Sequence, residues 1–420
     1  IYAASDTGAG VIGSLMDYLN LPTHLSAAEA ANVTDVLNML PFLAYHKIWF
    51  DYYRDENFDD VNAVFERVLL TALDGGDVTA LLPDLCSLHW RNFKKDYFTS
   101  SLPWPQKGQD VLLPIGGAGF QLGAATTAAS NGNLVYNQGA PGTPINVYAN
   151  SAQTTDDRVY PVLDLPTIND IRKSFRVQEL IELNARGGTR QKEMIWAHFG
   201  VDCKDARLQR AEYIGGSTTP IQISEVLSQA GFSNMDTESA LGSLGGHGVS
   251  GGFASSKKYR VTEHGYLMQI VSVMPDQAYY QGIPRRFLHL DKYDYYWPSL
   301  AHLGEQEVQY RELALYPSGG ADNNPDPSDV FGYTPRYAEY KYHPNEIHGD
   351  LRDTLSFWHA SRFFGSTPKL NNQFTNCIPS NQGLDRIFTY EGEAYDKILV
   401  QLTHHNGMLR KMPYFGTPRT

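Results

Sequence analysis

Hydrophobic positions recur at three- and four-residue intervals through the first hundred residues. Ser26 and Glu29 make a capping-box pair ahead of Val33, Val36, Leu37 and Leu40, which predicts a helix. Pro41 suits the first turn of a second helix, in which Phe42, Tyr45, Trp49 and Tyr52 follow at helical spacing. Asp59 and Asp60 open a third, with Val61, Val64, Phe65, Val68 and Ala72 on one face and Gly75 and Gly76 at its end. Such stripes predict core packing. The period then breaks. Residues 96–108, DYFTSSLPWPQKG, combine Pro103, Pro105 and the β-prone run Tyr97–Phe98–Thr99, so an extended segment is expected, with Trp104 held between prolines.

Residues 109–165 carry Gly116, Gly117, Gly119, Gly123, Asn131, Gly132 and Asn133 without a sustained period. A long ordered loop with short strands is expected, and loops of that length have interaction roles. Helical spacing returns at 166–199. Thr167 and Asp170 start it, Ile168, Ile171, Phe175, Val177, Leu180 and Ile181 continue it, Gly187 and Gly188 break it, and Gly200 stops a second short helix. Residues 241–252, LGSLGGHGVSGG, are too glycine-rich for a regular element and read as a surface loop. From 259 the texture becomes β. Tyr259–Val261 is β-prone, and Tyr266–Val273 is apolar on both faces except at Gln269 and Ser272, which predicts a strand covered on both sides. Residues 333–342 add Tyr337, Tyr340 and Tyr342; the tail places Ile398, Val400 and Leu402 on one face. No fixed-period repeat is found, which argues against a solenoid or propeller.

Composition sharpens this picture. A length of 420 residues fits two or three domains, or one large β architecture with insertions. Hydrophobic residues at 42% and charged residues at 19% permit a sizeable core. The 34 basic against 46 acidic residues give a net charge of -12, which weakens nucleic-acid binding through the overall field while leaving room for a local basic face. Twenty-six Tyr, 37 Gly and 23 Pro suggest strands, extended loops and large interfaces. Cys86, Cys203 and Cys377 are odd in number and far apart, so a disulfide framework or zinc ribbon is not expected and a reducing compartment fits. No apolar run reaches transmembrane length and no signal peptide is visible.

Catalytic motifs match by letter but lack the context their chemistry needs. Gly246-His247-Gly248-Val249-Ser250-Gly251 matches G-x-G-x-x-G, and Gly248–Gly252 matches G-x-S-x-G, but both mechanisms need a strand before and a helix after. His404-His405 lacks metal-ligand spacing, and Asp322–Asp329 lacks the glycine and terminal Glu of a calcium loop. Asp291, Asp294, Glu305 and Glu307 supply carboxylates, yet nothing singles out a pair for hydrolysis. No catalytic residue, cofactor site or metal site is therefore assigned.

A specific resemblance emerges from ordered blocks of residues. Leu40–Trp49 (LPFLAYHKIW), Arg54–Asn57, Asp96–Gly108, Arg176–Leu180, Ala185–Arg190, His198–Val201, Asp205–Arg210, Glu212–Gly216, Gln281–Arg285 with Phe287, Asp294–Pro298 and Leu303–Gln306 follow one another. Together they resemble the major capsid protein of the small single-stranded DNA phages, the Microviridae, above all its gokushovirus branch. The likeness spans residues 38 to 310 and weakens towards the end. It implies a mainly β fold: an eight-stranded antiparallel jelly roll with long helical and loop insertions. It also implies sixty copies in a T=1 shell around circular single-stranded DNA, assembled in the bacterial cytoplasm without membrane insertion. Members of the family carry a further N-terminal stretch, and the start at Ile1 suggests that early barrel strands are lacking here. One domain over 1–420 is then expected. Its parts are a mostly helical insertion at 1–108, a long loop at 109–165, a helical segment at 166–213, a Gly/Ser-rich surface loop at 214–258, and strands with a C-terminal tail at 259–420.

The implied partners are the packaged DNA, a small basic DNA-binding protein, scaffolding and pilot proteins of the same virus, and a host surface receptor. Arg410, Lys411 and Arg419 are candidates for an inward-facing basic tail. Tyr97, Phe98, Trp104, Tyr295, Tyr296 and Trp297 are candidates for packing in the core or between subunits. The rival readings are a glycan-binding or glycan-cleaving β-sandwich and a monomeric receptor-binding module of capsid origin.

Overall fold

Two prolines start the first helices where a missing N–H costs nothing. In the computed structural model, α1 (Leu15–Tyr18), α2 (Leu40–Tyr52, Pro41 in its first turn), α3 (Val64–Leu73) and α4 (Leu82–Cys86, Pro83 in its first turn) form a helical base. The structure describes residues 13–22, 38–59, 64–74, 81–109, 111, 119–122, 135–136, 147–148, 159–162, 167–188, 190–202, 210–227, 244–253, 257–316, 325–378, 383–388, 398–405, 407–409 and 414. Leu15, Met16, Phe42, Val68, Leu85 and Cys86 meet in the core of the base. Of the α2 stripe, Phe42 is buried, Tyr45 and Trp49 are half-buried, and Tyr52 is exposed. Asp59 belongs to a turn after α2, and α3 begins at Val64. Ser26, Val33, Gly75 and Gly76 lie outside the described residues.

A histidine pair sits in this base. His46 is buried, with Nε2 2.9 Å from the Leu85 carbonyl and Nδ1 2.7 Å from His89 Nε2. A carbonyl can only accept, so His46 Nε2 donates to it, and His46 Nδ1 then accepts from His89. His89 stacks on Trp49 at 4.1 Å between ring centres, and its backbone N–H donates to the Tyr45 hydroxyl. Burial lowers both histidines. His89 falls from about 6.5 to about 4, with His46 beside it adding to the shift. Asp51, also buried, accepts from Lys47 (2.8 Å) and from the Ala211 N–H (2.8 Å), tying α2 to the chain after α6 (Gln191–Phe199).

Thr167 and Asp170 form the capping box their spacing predicts: Asp170 N–H donates to Thr167 Oγ1 and Thr167 N–H to Asp170 Oδ2. The helix they open, α5, runs Ile168–Arg186. Gly200 ends α6 at φ +66°, a left-handed cap that favours glycine. Within 109–165, β1 (Gly119–Leu122) pairs antiparallel with β4 (Val159–Val162), and β2 (Val135–Tyr136) with β3 (Val147–Tyr148).

A second core surrounds an antiparallel pair, β8 (Glu305–Gln309) with β9 (Val330–Pro335). Leu102 extends it by exchanging backbone hydrogen bonds with Tyr333 at 2.9 and 2.8 Å. Gly332 permits that approach, because a Cβ there would lie 2.9 Å from Ser101 Cβ and 2.7 Å from Leu370. Tyr97, Phe98, Tyr279, Val308, Leu313, Phe331, Ala338 and Phe374 close the core over it. α7 (Tyr310–Leu313), α8 (Asn372–Thr375) and the short parallel pair β7 (Ala278–Tyr279) with β10 (Asn345–Glu346) flank it.

Several expectations are corrected. Tyr97–Thr99 is a turn and not extended: the Asp96 carboxylate accepts from the N–H groups of Phe98 (3.0 Å) and Thr99 (2.8 Å) and from Thr99 Oγ1 (2.8 Å). The glycine run 241–252 contains a strand, β6 (Leu244–Val249), paired antiparallel with β5 (Gln222–Leu227), so 214–258 is not wholly a loop. Gly246 donates to the Ile387 carbonyl at 2.9 Å, and a Cβ there would lie 2.7 Å from that oxygen; glycine lets β6 lie directly on the chain. Tyr259–Val261 and Tyr266–Val273 form no strand among the described residues. Tyr266, Leu267 and Val271 are exposed, and no backbone–backbone hydrogen bond joins 264–276 to another described residue. Val400 and Leu402 are likewise exposed and unpaired in any described strand.

Among the described residues the protein is low in helix and has few strands, an architecture consistent with a viral capsid protein. The ten short strands pair two by two, and no eight-stranded sandwich closes among them. No described helix is long and apolar enough to cross a membrane.

The histidine pair sets a pH dependence. A histidine held near 4 when folded and 6.5 when unfolded takes up protons preferentially in the unfolded state, so its stabilisation is complete above about pH 6.5 and falls as pH drops towards 4. Urea melts from pH 7 to 5 are expected to show a loss to which His89 contributes about 2 kcal/mol, and His89→Gln removes that share while the share of buried His46 stays. An unchanged pH profile in His89→Gln would contradict the assignment.

Candidate assembly surface

Glu312 lies in α7 with its carboxylate buried. Three segments satisfy it: the Tyr97 hydroxyl donates at 2.9 Å, Arg285 Nη1 at 2.6 Å and the Gln309 backbone N–H at 3.0 Å. Arg285 Nη1 also donates to the Glu307 carbonyl at 2.7 Å. Burial, reinforced by the neighbouring carboxylate, raises the Tyr97 phenol far above its usual range, so it stays a neutral donor. The chain before Arg285 runs along α7: Ile283 N–H donates to the Arg311 carbonyl (2.8 Å) and Leu315 N–H to the Gln281 carbonyl (3.1 Å). Gly282 makes this closeness possible, since a Cβ there would lie 2.1 Å from the Glu312 carbonyl oxygen.

Beyond Arg285 the chain becomes an aromatic loop. Asp294 shapes it, accepting from the N–H groups of Leu290 and Asp291, each at 2.9 Å. The Trp297 indole donates to the Lys292 carbonyl at 2.8 Å. Tyr337 anchors the loop to the core. Its N–H donates to Gln306 Oε1 (2.9 Å), its hydroxyl donates to the Tyr295 carbonyl (3.2 Å), and it accepts from Trp297 N–H (3.2 Å). Tyr337 holds φ at +62°, a conformation that costs energy without glycine and is held here by these contacts. Tyr296 packs edge-on against Tyr337 at 5.1 Å, and His289 against Tyr295 at 5.0 Å.

The outer faces of this cluster are open. Tyr295, Tyr296 and Trp297 are 53%, 54% and 48% exposed, and Phe287, Leu290, Tyr293 and Leu303 beside them are more than half exposed. Rings with apolar bodies and polar tips, fixed by backbone hydrogen bonds and left uncovered, have the composition of an interface core.

The residues singled out from sequence divide between two places. Tyr97 and Phe98 are buried in the core, whereas Tyr295, Tyr296 and Trp297 lie together on the surface; the Arg285–Glu312–Tyr97 bonds connect the two groups. Trp104 is half-buried, and its indole N–H is buried without a hydrogen-bond partner among the described residues. Arg410, Lys411 and Arg419 lie outside the described residues. Of the four carboxylates weighed for hydrolysis, Asp294 caps its own loop and Glu305 pairs with Arg186. The glycine motifs fall inside or just after β6, with no helix in the described residues that follow up to 284.

Sequence reasoning missed Arg362. It is 3% exposed, with its guanidinium 4.1 Å from the Phe374 ring centre and 5.2 Å from that of Phe93. The only trace in the chain is an arginine followed by Phe363 and Phe364.

Removing Arg285 leaves the Glu312 charge buried and short of a partner. Arg285→Met is expected to cost about 3–5 kcal/mol in urea melts, and adding Glu312→Leu to recover most of it. A double variant no more stable than the single one would contradict the coupling.

Four matches with known proteins identify the family of the chain. A family model described as capsid protein (F protein) matches residues 4–420. The chain is 31% identical over 436 residues to capsid protein VP1 of Bdellovibrio phage phiMH2K, covering 97% of this chain and 76% of that protein. It is 31% identical over 491 residues to capsid protein VP1 of Chlamydia phage 1 (99% and 78%), and 26% identical over 427 residues to capsid protein VP1 of Spiroplasma virus 4 (90% and 72%).

Proposed function

This chain belongs to the phage capsid protein (F protein) family and is a major capsid protein of the virion, a structural role in a self-assembling shell; we propose that sixty copies close into a T=1 icosahedron around circular single-stranded DNA. The observation that carries the reading is the uncovered aromatic loop at Tyr295–Trp297, rigidly mounted on a buried core. Across the described residues, this loop included, 45 large hydrophobic residues are exposed against 23 buried hydrophobic ones, a balance that suits a subunit whose surface is completed by neighbours. In a closed shell each modest contact repeats by symmetry.

The jelly roll belongs to the same proposal. Tyr266–Val273 is apolar on both faces and its backbone is unpaired among the described residues, as a barrel strand would be before its neighbours are in place. A net charge of -12 fits a genome neutralised mainly by a separate small basic protein, with Arg410, Lys411 and Arg419 as an inward-facing tail. Scaffolding and pilot proteins, a host receptor and assembly in the bacterial cytoplasm complete the proposed life of the subunit.

Electron microscopy of the full chain produced with its scaffolding protein tests the reading. Closed particles of one size are expected. The double variant Tyr295→Ala with Trp297→Ala should lower particle yield by about tenfold or more, since central aromatic contacts are worth on the order of 2 kcal/mol each, while the subunit's melting temperature holds. Monomers alone from the unaltered chain would overturn the shell; undiminished particle yield from the variant would remove this loop from the interface.

A further inference from the structure

A cleft of 330 Å³ opens between the chain at Tyr279–Phe287 and the chain at Glu346–Arg352. Its volume is at the lower end of small-ligand sites. Its walls combine two kinds of group, guanidinium and aromatic ring. Arg286 and Arg352 line it, and Phe287 and Tyr280 line it beside them. A third guanidinium, Arg386, reaches Tyr280: burial raises that phenol's pKa, and Arg386, by charge and by hydrogen bond, and Arg352 pull it back. His348 is exposed at the rim, its Nε2 3.3 Å from Glu346.

The charge balance is local and positive on an acidic chain. Glu346 is the acidic wall residue, and it is engaged by Arg286 at 3.0 Å. Arg352 spends its Nε on the Ile347 carbonyl at 2.5 Å, which fixes the guanidinium by one edge. The Arg286 guanidinium lies 5.1 Å from the Phe287 ring centre, and Phe287 is 65% exposed, so a charge suited to phosphate stands beside a bare ring. Base-stacking rings beside guanidinium groups that track a phosphate backbone are how proteins hold single-stranded nucleic acid without reading its sequence.

We propose that this cleft seats one nucleotide of single-stranded DNA, its phosphate on Arg286 and Arg352 and its base on Phe287 and Tyr280. The inference rests on the genome-enclosing reading above and supplies it with a contact. Glu346 tempers the site, because an incoming phosphate competes with it for Arg286.

Fluorescence anisotropy of the full chain with a fluorescein-labelled octathymidylate tests the cleft. The unaltered chain is expected to bind, with affinity falling as salt rises from about 50 to 200 mM. Arg286→Gln with Arg352→Gln should weaken binding by about tenfold or more and flatten the log–log salt slope by about 0.7, the share of one phosphate contact on a single strand. Phe287→Ala should weaken binding by about tenfold with the salt slope unchanged. Glu346→Gln should tighten it. Circular dichroism melts of each variant check folding, and the Glu346→Gln result stands even if the double arginine variant fails to fold. No binding by the unaltered chain, or equal affinity and slope in the arginine and Glu346 variants, would overturn the proposal. Electron microscopy of the same preparations separates the two readings: particles that form normally while oligonucleotide binding ignores these variants reject the cleft and leave the shell.

Discussion

A buried carboxylate organises the core around β8 and β9. Glu312 cannot stay charged in a low-dielectric core without donors, and its donors come from three parts of the chain: Tyr97, Arg285 and the Gln309 backbone. Satisfying it fixes the turn at Tyr97–Thr99, the end of β8 and the root of the aromatic loop relative to one another. Gly282 and Gly332 serve the same arrangement, since both sit where a Cβ would strike neighbouring chain. A hydrophobic cluster alone would tolerate sliding; a directional network of this kind does not.

That rigidity matters because of what it presents. Mobile aromatic side chains would lose rotamer freedom on association and spend binding energy on ordering. Tyr337, held left-handed and bonded to both Tyr295 and Trp297, orders the loop within the single subunit. Arg362 plays a parallel part below, its guanidinium enclosed by Phe93, Phe364 and Phe374 rings. The core is therefore charged and aromatic at once, and the surface it supports is aromatic and open.

Local chemistry was legible in the sequence and long-range pairing was not. Thr167 and Asp170 announced α5 because a capping box is complete within four residues. Pro41 announced α2 for the same reason. At Tyr97–Thr99 the β propensity of the run favours an extended chain, but the Asp96 carboxylate outcompetes it by accepting three local hydrogen bonds. The glycines of β6 hide a strand because the reason for Gly246 lies far along the chain, at Ile387, where only glycine allows contact. Tyr266–Val273 has the composition of a covered strand, yet its cover is not among the described residues. Of the aromatic candidates, nothing in the letters separated Tyr97 and Phe98, which fill the core, from Tyr295–Trp297, which face outwards; both are aromatic runs beside prolines. The pairing of Arg285 with Glu312 was hidden for the same reason, as no spacing rule links them.

The central claim is that the outward aromatic loop becomes covered when subunits assemble. Hydroxyl-radical footprinting of Tyr295, Tyr296 and Trp297, compared between isolated subunits and purified particles, tests it most directly. Strong protection of these three rings in the particle, with the already buried Tyr97 unchanged between the two states, is the expected result. Equal reactivity of Trp297 in subunit and particle would contradict it.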